Sequence, residues 1–183
     1  MTITTYKWSI KKWHELVDSG VLTDKSVELL NGEIVQMSPE REEHSYTNDD
    51  VAEYLREKLR GLAKVRESHP ITLDNSEPEP DIALVQLPKT IYRDRHPYPQ
   101  DIYWLIEISN KTLAVDSKVK SKIYARNSIK EYWIIDLVNN KLIVHTQPQK
   151  DDYTQVKELA SGTIAPQAFP QISISLDRLL LFK

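Results

Sequence analysis

Residues Trp104–Ala125 read WLIEISNKTLAVDSKVKSKIYA, an apolar strand followed closely by a lysine-rich helix. The predicted strand, Ile102–Ser109, is apolar on both faces, as strands in the centre of a sheet are. The predicted helix covers Val115–Asn127. Glu107 interrupts the apolar pattern, and an ionised carboxylate is costly to bury unless a cation or hydrogen-bond donors accompany it. The stretch therefore predicts a central strand with an unusual acidic residue.

Two interpretations of Glu107 are open from the residues alone. Alternation along the strand assigns one face to Tyr103, Leu105, Glu107 and Ser109. A glutamate there could reach solvent at the strand end or pair with a lysine. Alternatively it could be a metal ligand, because Asp81 begins another apolar strand, Ile82–Val85. Two carboxylates at strand ends of one sheet can converge, and Mg²⁺ often uses only one or two protein carboxylates.

The remaining elements predict helices on a mixed sheet. Further helices are expected at Ser9–Asp18 and His44–Leu62, and Asn31-Gly32 predicts a hairpin within Val27–Met37. The expected buried stripe of the long helix is Val51, Tyr54, Leu55, Leu59 and Leu62. Further strands are predicted at Ile71–Leu73, Glu131–Leu137, Lys141–Gln147 and Tyr153–Leu159, with a last short helix at LDRLL. This order predicts an α/β fold in a single domain, 1–183.

Composition restricts the class of protein. The 183 residues are 40% hydrophobic and 28% charged, as in soluble globular proteins. The chain has no cysteine, which excludes disulfides, thiolate metal sites and a cysteine nucleophile. No apolar run is long enough to span a bilayer, and MTITTYKWSIKKW lacks the apolar segment of a signal peptide, so a cytoplasmic location is expected. With a net charge of −3, nucleic-acid contacts would need locally clustered positive charge.

The lysines that follow the strand do not form one uniform patch. On a helix Lys118 and Lys122 lie together, whereas Lys120 lies with Asp116. Asp116 and Lys120 could form a surface ion pair worth roughly a few tenths of a kcal/mol. Alternatively, Lys120 borders an apolar face formed by Val115, Val119 and Ile123 and points back at the sheet. There an ammonium could orient an attacking water or offset charge on a phosphoryl transition state.

Several motifs occur in a distinctive order along the chain. They are VELLNGEIVQMSP before a helix that begins with histidine, PDIALV, WLIEIS, an Asp-x3-Lys-x3-Tyr pattern, EYWIIDL and FPQISISLDRLL. In this order and spacing they resemble the Uma-type family of restriction endonucleases, part of the PD-(D/E)xK nuclease superfamily. The resemblance covers nearly the whole chain. It implies a restriction-endonuclease-like mixed β-sheet flanked by helices, with an N-terminal helix and β-hairpin. It also implies a Mg²⁺-dependent endonuclease that acts on DNA, with Mn²⁺ as an alternative metal.

The resemblance implies roles for individual acidic and histidine residues. Asp81 and Glu107 match the acidic pair that holds the metal, and the carbonyl of Ile108 could add a ligand. Glu28 matches a recurrent glutamate of the hairpin that could support the site, although it could equally be an exposed strand residue. His44 matches a histidine near the cleft, although such a residue often serves only as a hydrogen-bonding group where a helix begins.

The lysine of the superfamily motif is missing here, because Ser109 stands at its position. The matching family lysine is Lys120 on the following helix, and Lys111 in the intervening loop is the alternative. Candidate DNA contacts are Lys111, Lys118, Lys122 and Arg126. Tyr124 and Trp133 are expected in the core, and Asp136 is expected to be structural.

Two other functions stay open. The fold could serve as a catalytically degenerate nucleic-acid-binding or oligomeric interaction module, which the net negative charge favours. Further phosphate contacts would then come from Lys130, Lys89, Arg93 and Arg95. The chain could also form a homodimer through exposed aromatic residues such as Tyr92, Tyr98 and Tyr103. No segment resembles a separate domain that reads a target sequence.

Overall fold

A six-stranded mixed sheet forms the centre of the computed structural model, which describes residues 4–110 and 112–181. Its strands follow the spatial order β3-β4-β5-β6-β7-β8. Their bounds are Lys64–Glu67 (β3), Ile82–Val85 (β4), Ile102–Ser109 (β5), Glu131–Asp136 (β6), Lys141–Gln149 (β7) and Asp152–Leu159 (β8). Among the strands within the described residues, only β5 and β6 pair in parallel, because the chain between them crosses over through a helix. The strand with Glu107 is therefore interior, as predicted.

Helices cover both faces of this sheet. They are α1 (Ile10–Asp18), α2 (Glu42–Lys58), α3 (Leu113–Val115) and α4 (Ser121–Arg126), with a π-helical turn at Asp116–Lys120 joining α3 to α4. We call the continuous segment 113–126 the lysine helix. Val51 and Leu55 of α2 pack against one side of the sheet with Trp104 and Trp133. Ile123, Tyr124 and Ala125 of α4 pack against the other side with Leu105 and Tyr132.

The predicted hairpin lies on the side of the sheet that α4 covers, where Leu30 is buried with Tyr124 and Leu105. Its strands are β1 (Val27–Leu30) and β2 (Glu33–Gln36), and both turn residues, Asn31 and Gly32, have positive φ. A side chain at Gly32 would lie 3.0 Å from the Trp8 carbonyl oxygen, so only glycine fits there without movement. Leu29 bridges to Glu77, which fixes the hairpin beside the segment that leads into β4.

Shorter elements complete the chain. A two-stranded sheet pairs β9 (Thr163–Ile164) with β10 (Ile174–Ser175). Short 3₁₀ segments occur at Lys89–Arg93, which is kinked at Tyr92, at Pro99–Asp101 and at Leu176–Arg178, the last at the predicted C-terminal helix. Within residues 4–110 and 112–181, no helix combines the length and apolar character that crossing a bilayer requires.

Three predictions for the region before β4 are wrong. The helix α2 ends at Lys58, and Leu62, predicted to be buried, is 37% exposed. Ile71–Leu73 is buried but is not a strand, because its N–H groups bond to scattered loop carbonyls such as those of Pro78 and Pro97. The strand that does form is β3, whose sequence KVRE contains three charged residues and so lacks the alternation that predicts strands.

A bulge changes the predicted face of Tyr103. Leu84 pairs with Trp104 but Val85 pairs with Ile102, which leaves Tyr103 as the extra residue. Its ring packs against Phe169, on the opposite side of the sheet from Leu105. The prediction that Tyr103 shares the Glu107 face is therefore wrong.

Candidate active site

A buried contact joins the carboxylate of β5 to the lysine helix. The Nζ atom of Lys120 donates to Oε1 of Glu107 at 3.1 Å, and the two side chains are only 9% and 4% exposed. Tyr124, one turn later, donates its hydroxyl to the same oxygen at 2.8 Å. Lys120 therefore points at the sheet. Tyr124 lies in the core as predicted, but its hydroxyl also takes part in this site. Its position four residues after Lys120 on a helix could have predicted this role.

The π-helical turn explains why Lys120 faces inward. The N–H of Ser121 bonds to the carbonyl of Asp116, five residues earlier. A turn closed over five residues rotates the preceding residues relative to a regular α-helix, and such turns are frequent at functional sites. Val115 and Val119, which the regular period predicts to be buried, are exposed, whereas Asp116 and Lys120 are buried. The predicted apolar face is thus wrong at these two valines.

The hairpin supplies a third side chain to the same point. Glu28 of β1 is buried, and its Oε2 lies 3.6 Å from Nζ of Lys120. The same oxygen accepts the N–H of Glu79 at 3.2 Å. Glu28 is therefore not an exposed strand glutamate, and it places a second carboxylate beside the ammonium group.

Asp81 lies at the more open side of the site. Its Oδ2 accepts the N–H of Ile108 at 2.6 Å, which holds the start of β4 against β5. His44 approaches the same oxygen with Nε2 at 3.2 Å, and its Nδ1 lies 2.8 Å from Oε1 of Glu40. Asp81 is 16% exposed, more than Glu107 or Glu28. Access from solvent is therefore easiest past Asp81.

Negative charge exceeds positive charge at this point. Burial raises the pKa of Glu107 well above its usual value; Lys120 opposes this, and the charges of Asp81, Asp116 and Glu28 add to it. Burial alone would lower the pKa of Lys120, but the surrounding carboxylates outweigh it and raise that pKa. Lys120 consequently stays protonated at neutral pH, and one ammonium group faces several carboxylates.

This donor set fits a hard divalent cation. Such a cation takes oxygen ligands, and its charge would counter both the burial and the neighbouring carboxylates that raise the pKa of Glu107. Among the described residues, no three His, Asp or Glu side chains are close enough to hold a metal together. Asp81 and Glu107, the pair that the family resemblance implies, would be the two carboxylate ligands, with water or a backbone carbonyl completing the coordination as Mg²⁺ commonly requires. The predicted ligand from the carbonyl of Ile108 stays a prediction.

Ser109, at the position of the missing motif lysine, belongs to a separate hydrogen-bond cluster. Its hydroxyl donates to Oδ2 of Asp116 at 2.5 Å, and the Thr112 hydroxyl donates to the same oxygen at 2.8 Å. The cluster fastens the end of β5 to the start of the π-helical turn that carries Lys120. Lys111, the alternative catalytic lysine and a candidate DNA contact, lies outside the described residues.

The other residues predicted to have a role lie away from this centre. Asp136 accepts the N–H groups of Val138 and Asn139 with Oδ1, so it stabilises a turn, and Trp133 is in the core. Lys118 and Lys122 are exposed on the outside of the lysine helix. Arg126 is ion-paired with Asp151 at 2.9 Å and also donates to Asn31. DNA contacts through these cations stay a prediction.

The contacts of His44 predict a pH dependence of stability. Burial would lower its pKa, but Asp81 and Glu40 outweigh this and raise it from 6.5 to about 9. Because the folded pKa is raised, the stabilisation is complete below pH 6.5 and is lost as the pH rises from 6.5 towards about 9. We expect the metal-free protein to lose roughly 1–2 kcal/mol over this range relative to His44→Gln, since partial exposure weakens the effect.

Urea denaturation of both proteins at the two ends of this pH range measures that difference. An NMR titration of the His44 ring gives its pKa directly. A difference in unfolding free energy between the two proteins that is the same at both pH values would contradict the prediction.

Comparison with known proteins identifies what the chain is similar to. The family model Uma2, described as "Putative restriction endonuclease", matches residues 13–177. A crystal structure of "a putative nuclease belonging to DUF820" from Anabaena variabilis matches with a TM-score of 0.66 and 15% sequence identity, over 86% of this chain and 91% of that chain. Comparison with curated proteins gives no match. The structural match confirms the predicted restriction-endonuclease-like mixed sheet flanked by helices.

Proposed function

The chain belongs to the Uma2 restriction endonuclease family, and from this premise we propose that it is a metal-dependent phosphodiester hydrolase that cuts DNA. The proposed metal ligands are Asp81 and Glu107, and the proposed catalytic cation is Lys120. The observation that carries the proposal is the 3.1 Å contact of Lys120 with Glu107, made from the helix that follows the acidic strand. This contact supports the proposal that an amine from a different backbone position takes the role of the motif lysine.

Each side chain has a definite task in this proposal. Mg²⁺ or Mn²⁺, when bound, would polarise the scissile phosphate and lower the pKa of a water molecule. Lys120 acts as a hydrogen-bond donor and a positive charge, because the carboxylates around it raise its pKa and it cannot serve as a base at neutral pH. A fixed cation beside the phosphate stabilises the negative charge that develops in the transition state.

Neighbouring residues hold these groups in position. Tyr124 donates to Oε1 of Glu107, and Glu28 lies on the other side of the Lys120 ammonium group. The N–H of Ile108 fixes Oδ2 of Asp81. Preorganised contacts of this kind reduce the reorganisation that the transition state would otherwise need. They support a catalytic site better than a single surface ion pair would.

Metal-dependent cleavage of DNA is the direct test. We expect the purified chain to nick supercoiled plasmid with Mg²⁺ or Mn²⁺ and to be inactive with EDTA. Asp81→Asn should lower the rate by at least about 100-fold, since it removes a charged ligand without changing the size of the side chain. Asp18→Asn, a change of the same chemistry at an exposed aspartate, is the matched control. Salt-sensitive DNA binding without cleavage under any metal would favour the non-catalytic binding module.

A further inference from the structure

A cleft of about 450 Å³ opens beside the accessible carboxylate, between α2 and the edge strand β3. Ser68, which lines the cleft, donates its N–H to the carbonyl of Asp81 at 3.0 Å. Glu40, also in the lining, contacts His44, which in turn contacts Asp81. Two residues of the cleft lining thus lead by direct or single-step contacts to Asp81, on the more exposed side of the proposed active site.

The strand on one side of this cleft carries clustered positive charge. Lys64 and Arg66 point to the same face of β3, because the intervening Val65 packs into the core. The guanidinium of Arg66 lies over the ring of Tyr92, 5.6 Å from its centroid. Lys89, in the adjacent 3₁₀ turn, is exposed and close enough to influence Lys64 electrostatically.

These cations have few counter-charges within the protein. In the part of the chain that the structure describes, no carboxylate lies within ion-pair distance of Lys64, Arg66 or Lys89. Burial lowers the pKa of Lys64, and repulsion from Arg56, Lys89 and Arg66 lowers it further. The Nε atom of Arg66 is shielded from solvent and has no acceptor among the described residues. A bound anion would reduce the repulsion between these positive charges and would supply an acceptor for Nε of Arg66.

Two of the three acidic residues in the cleft lining already have partners of their own. Glu67 is ion-paired with Arg56, and Glu40 is hydrogen-bonded to His44. Asp49 is exposed on α2, across the cleft from the strand. The outer face of β3 therefore keeps its positive character next to the active site.

The lysine helix is less suitable as a binding surface for phosphates. Arg126 is already paired with Asp151, in the turn between β7 and β8. Lys122 is close enough to Asp151 to lower the pKa of that carboxyl group. These cations thus lie towards β8, at the opposite edge of the sheet from β3. The accessible side of the site faces the cleft beside β3 instead.

We propose that Lys64 and Arg66 of β3 bind the phosphate backbone of the DNA strand that is cut, an inference that rests on the proposed function. Lys64 and Arg66 lie four and two residues before Ser68, whose N–H donates to the carbonyl of Asp81. Lys64 to Ser68 spans about 13 Å at the rise of a strand. Measured along the axis of duplex DNA, about 13 Å corresponds to roughly four base-pair steps, so β3 runs beside a short stretch of backbone next to the scissile phosphate.

Salt-dependent binding of a short labelled DNA duplex in EDTA tests this proposal without cleavage. The variants are the double substitution Lys64→Gln with Arg66→Gln and the matched double substitution Lys118→Gln with Lys122→Gln. Both remove two positive charges. We expect the β3 variant to bind about tenfold more weakly at low salt and to lose about two units of the slope of log K against log salt. The lysine-helix variant, which tests the competing contacts predicted at Lys118 and Lys122, should change both quantities clearly less than the β3 variant does.

The outcomes separate this proposal from the hydrolase assignment. Equal losses in both double variants, a loss only in the lysine-helix variant, or no DNA binding by the unmodified chain would each overturn it. If β3 controls binding but no metal supports cleavage, the binding site stands and the hydrolase fails. If the chain cleaves DNA but the β3 variant binds normally, the hydrolase assignment stands and the proposed binding site fails. Should the β3 double variant not fold, Lys64→Gln against Lys118→Gln makes the same comparison.

Discussion

Lys120→Met should lower the rate of metal-dependent DNA cleavage by about 100- to 1,000-fold, the usual cost of removing one preorganised transition-state contact. Methionine keeps most of the apolar stem of lysine and removes the ammonium group. Lys120 is the lysine that points at Glu107, whereas Lys118 and Lys122 are exposed on the same helix. Lys122→Met should therefore leave the rate within about twofold of the unmodified chain.

Two measurements separate a catalytic role of Lys120 from a structural one. Thermal melting must show that Lys120→Met is folded at the assay temperature. The apparent affinity for Mg²⁺ or Mn²⁺, followed through its effect on the melting temperature, should stay the same or increase, since removal of a cation favours another cation. Cleavage at the normal rate by folded Lys120→Met would disprove the role of this lysine and direct attention to Lys111.

Local sequence signals predict the elements that surround the site. The Asn31-Gly32 turn needs positive φ at both residues, and those residue types favour it, so the hairpin was predictable. The continuous apolar run of β5 predicts an interior strand because both of its faces are covered. The hairpin forms between residues near each other in the chain, whereas the apolar composition of β5 reflects its burial between two neighbouring strands and two covered faces.

The arrangement of the site depends on contacts that sequence patterns do not reveal. A regular helical period assigns Val119 to the buried face, but the π-helical turn exposes it and buries Lys120. Glu28 approaches Lys120 because Leu29 bridges to Glu77, which lies far from it along the chain. The strand β3 has three charged residues in four and forms because Val65 packs into the core beneath them. The proposed role of β3 as a DNA-binding surface could therefore not be predicted from the sequence, which does not indicate this strand.

Lys120→Ala should lower the free energy of unfolding of the metal-free protein by about 3–5 kcal/mol, because removing one partner leaves the buried charge of the other uncompensated. Glu107 and Glu28 both lose their cation in this variant. The double variant Lys120→Met with Glu107→Gln should recover part of the loss, since it removes that pair together but leaves Glu28 without its cation. Tyr124 can still donate to the amide oxygen that replaces Oε1.

Urea denaturation of these variants measures the effect, and a surface pair provides the control. Lys141 and Glu158 lie 2.9 Å apart with Glu158 58% exposed, so Lys141→Ala should cost less than about 1 kcal/mol.

The loss in Lys120→Ala should depend on pH in a defined direction. The pKa of Glu107 is already raised in the folded protein, and removal of Lys120 takes away the charge that opposes this. The folded variant then binds more protons than the unfolded chain, so its stability falls as the pH rises above the unfolded pKa of about 4.3. The deficit should therefore be smaller at about pH 5 than at about pH 8. A loss below about 1 kcal/mol at both pH values would mean that water screens the charges of Lys120 and Glu107, which would contradict the burial of both side chains.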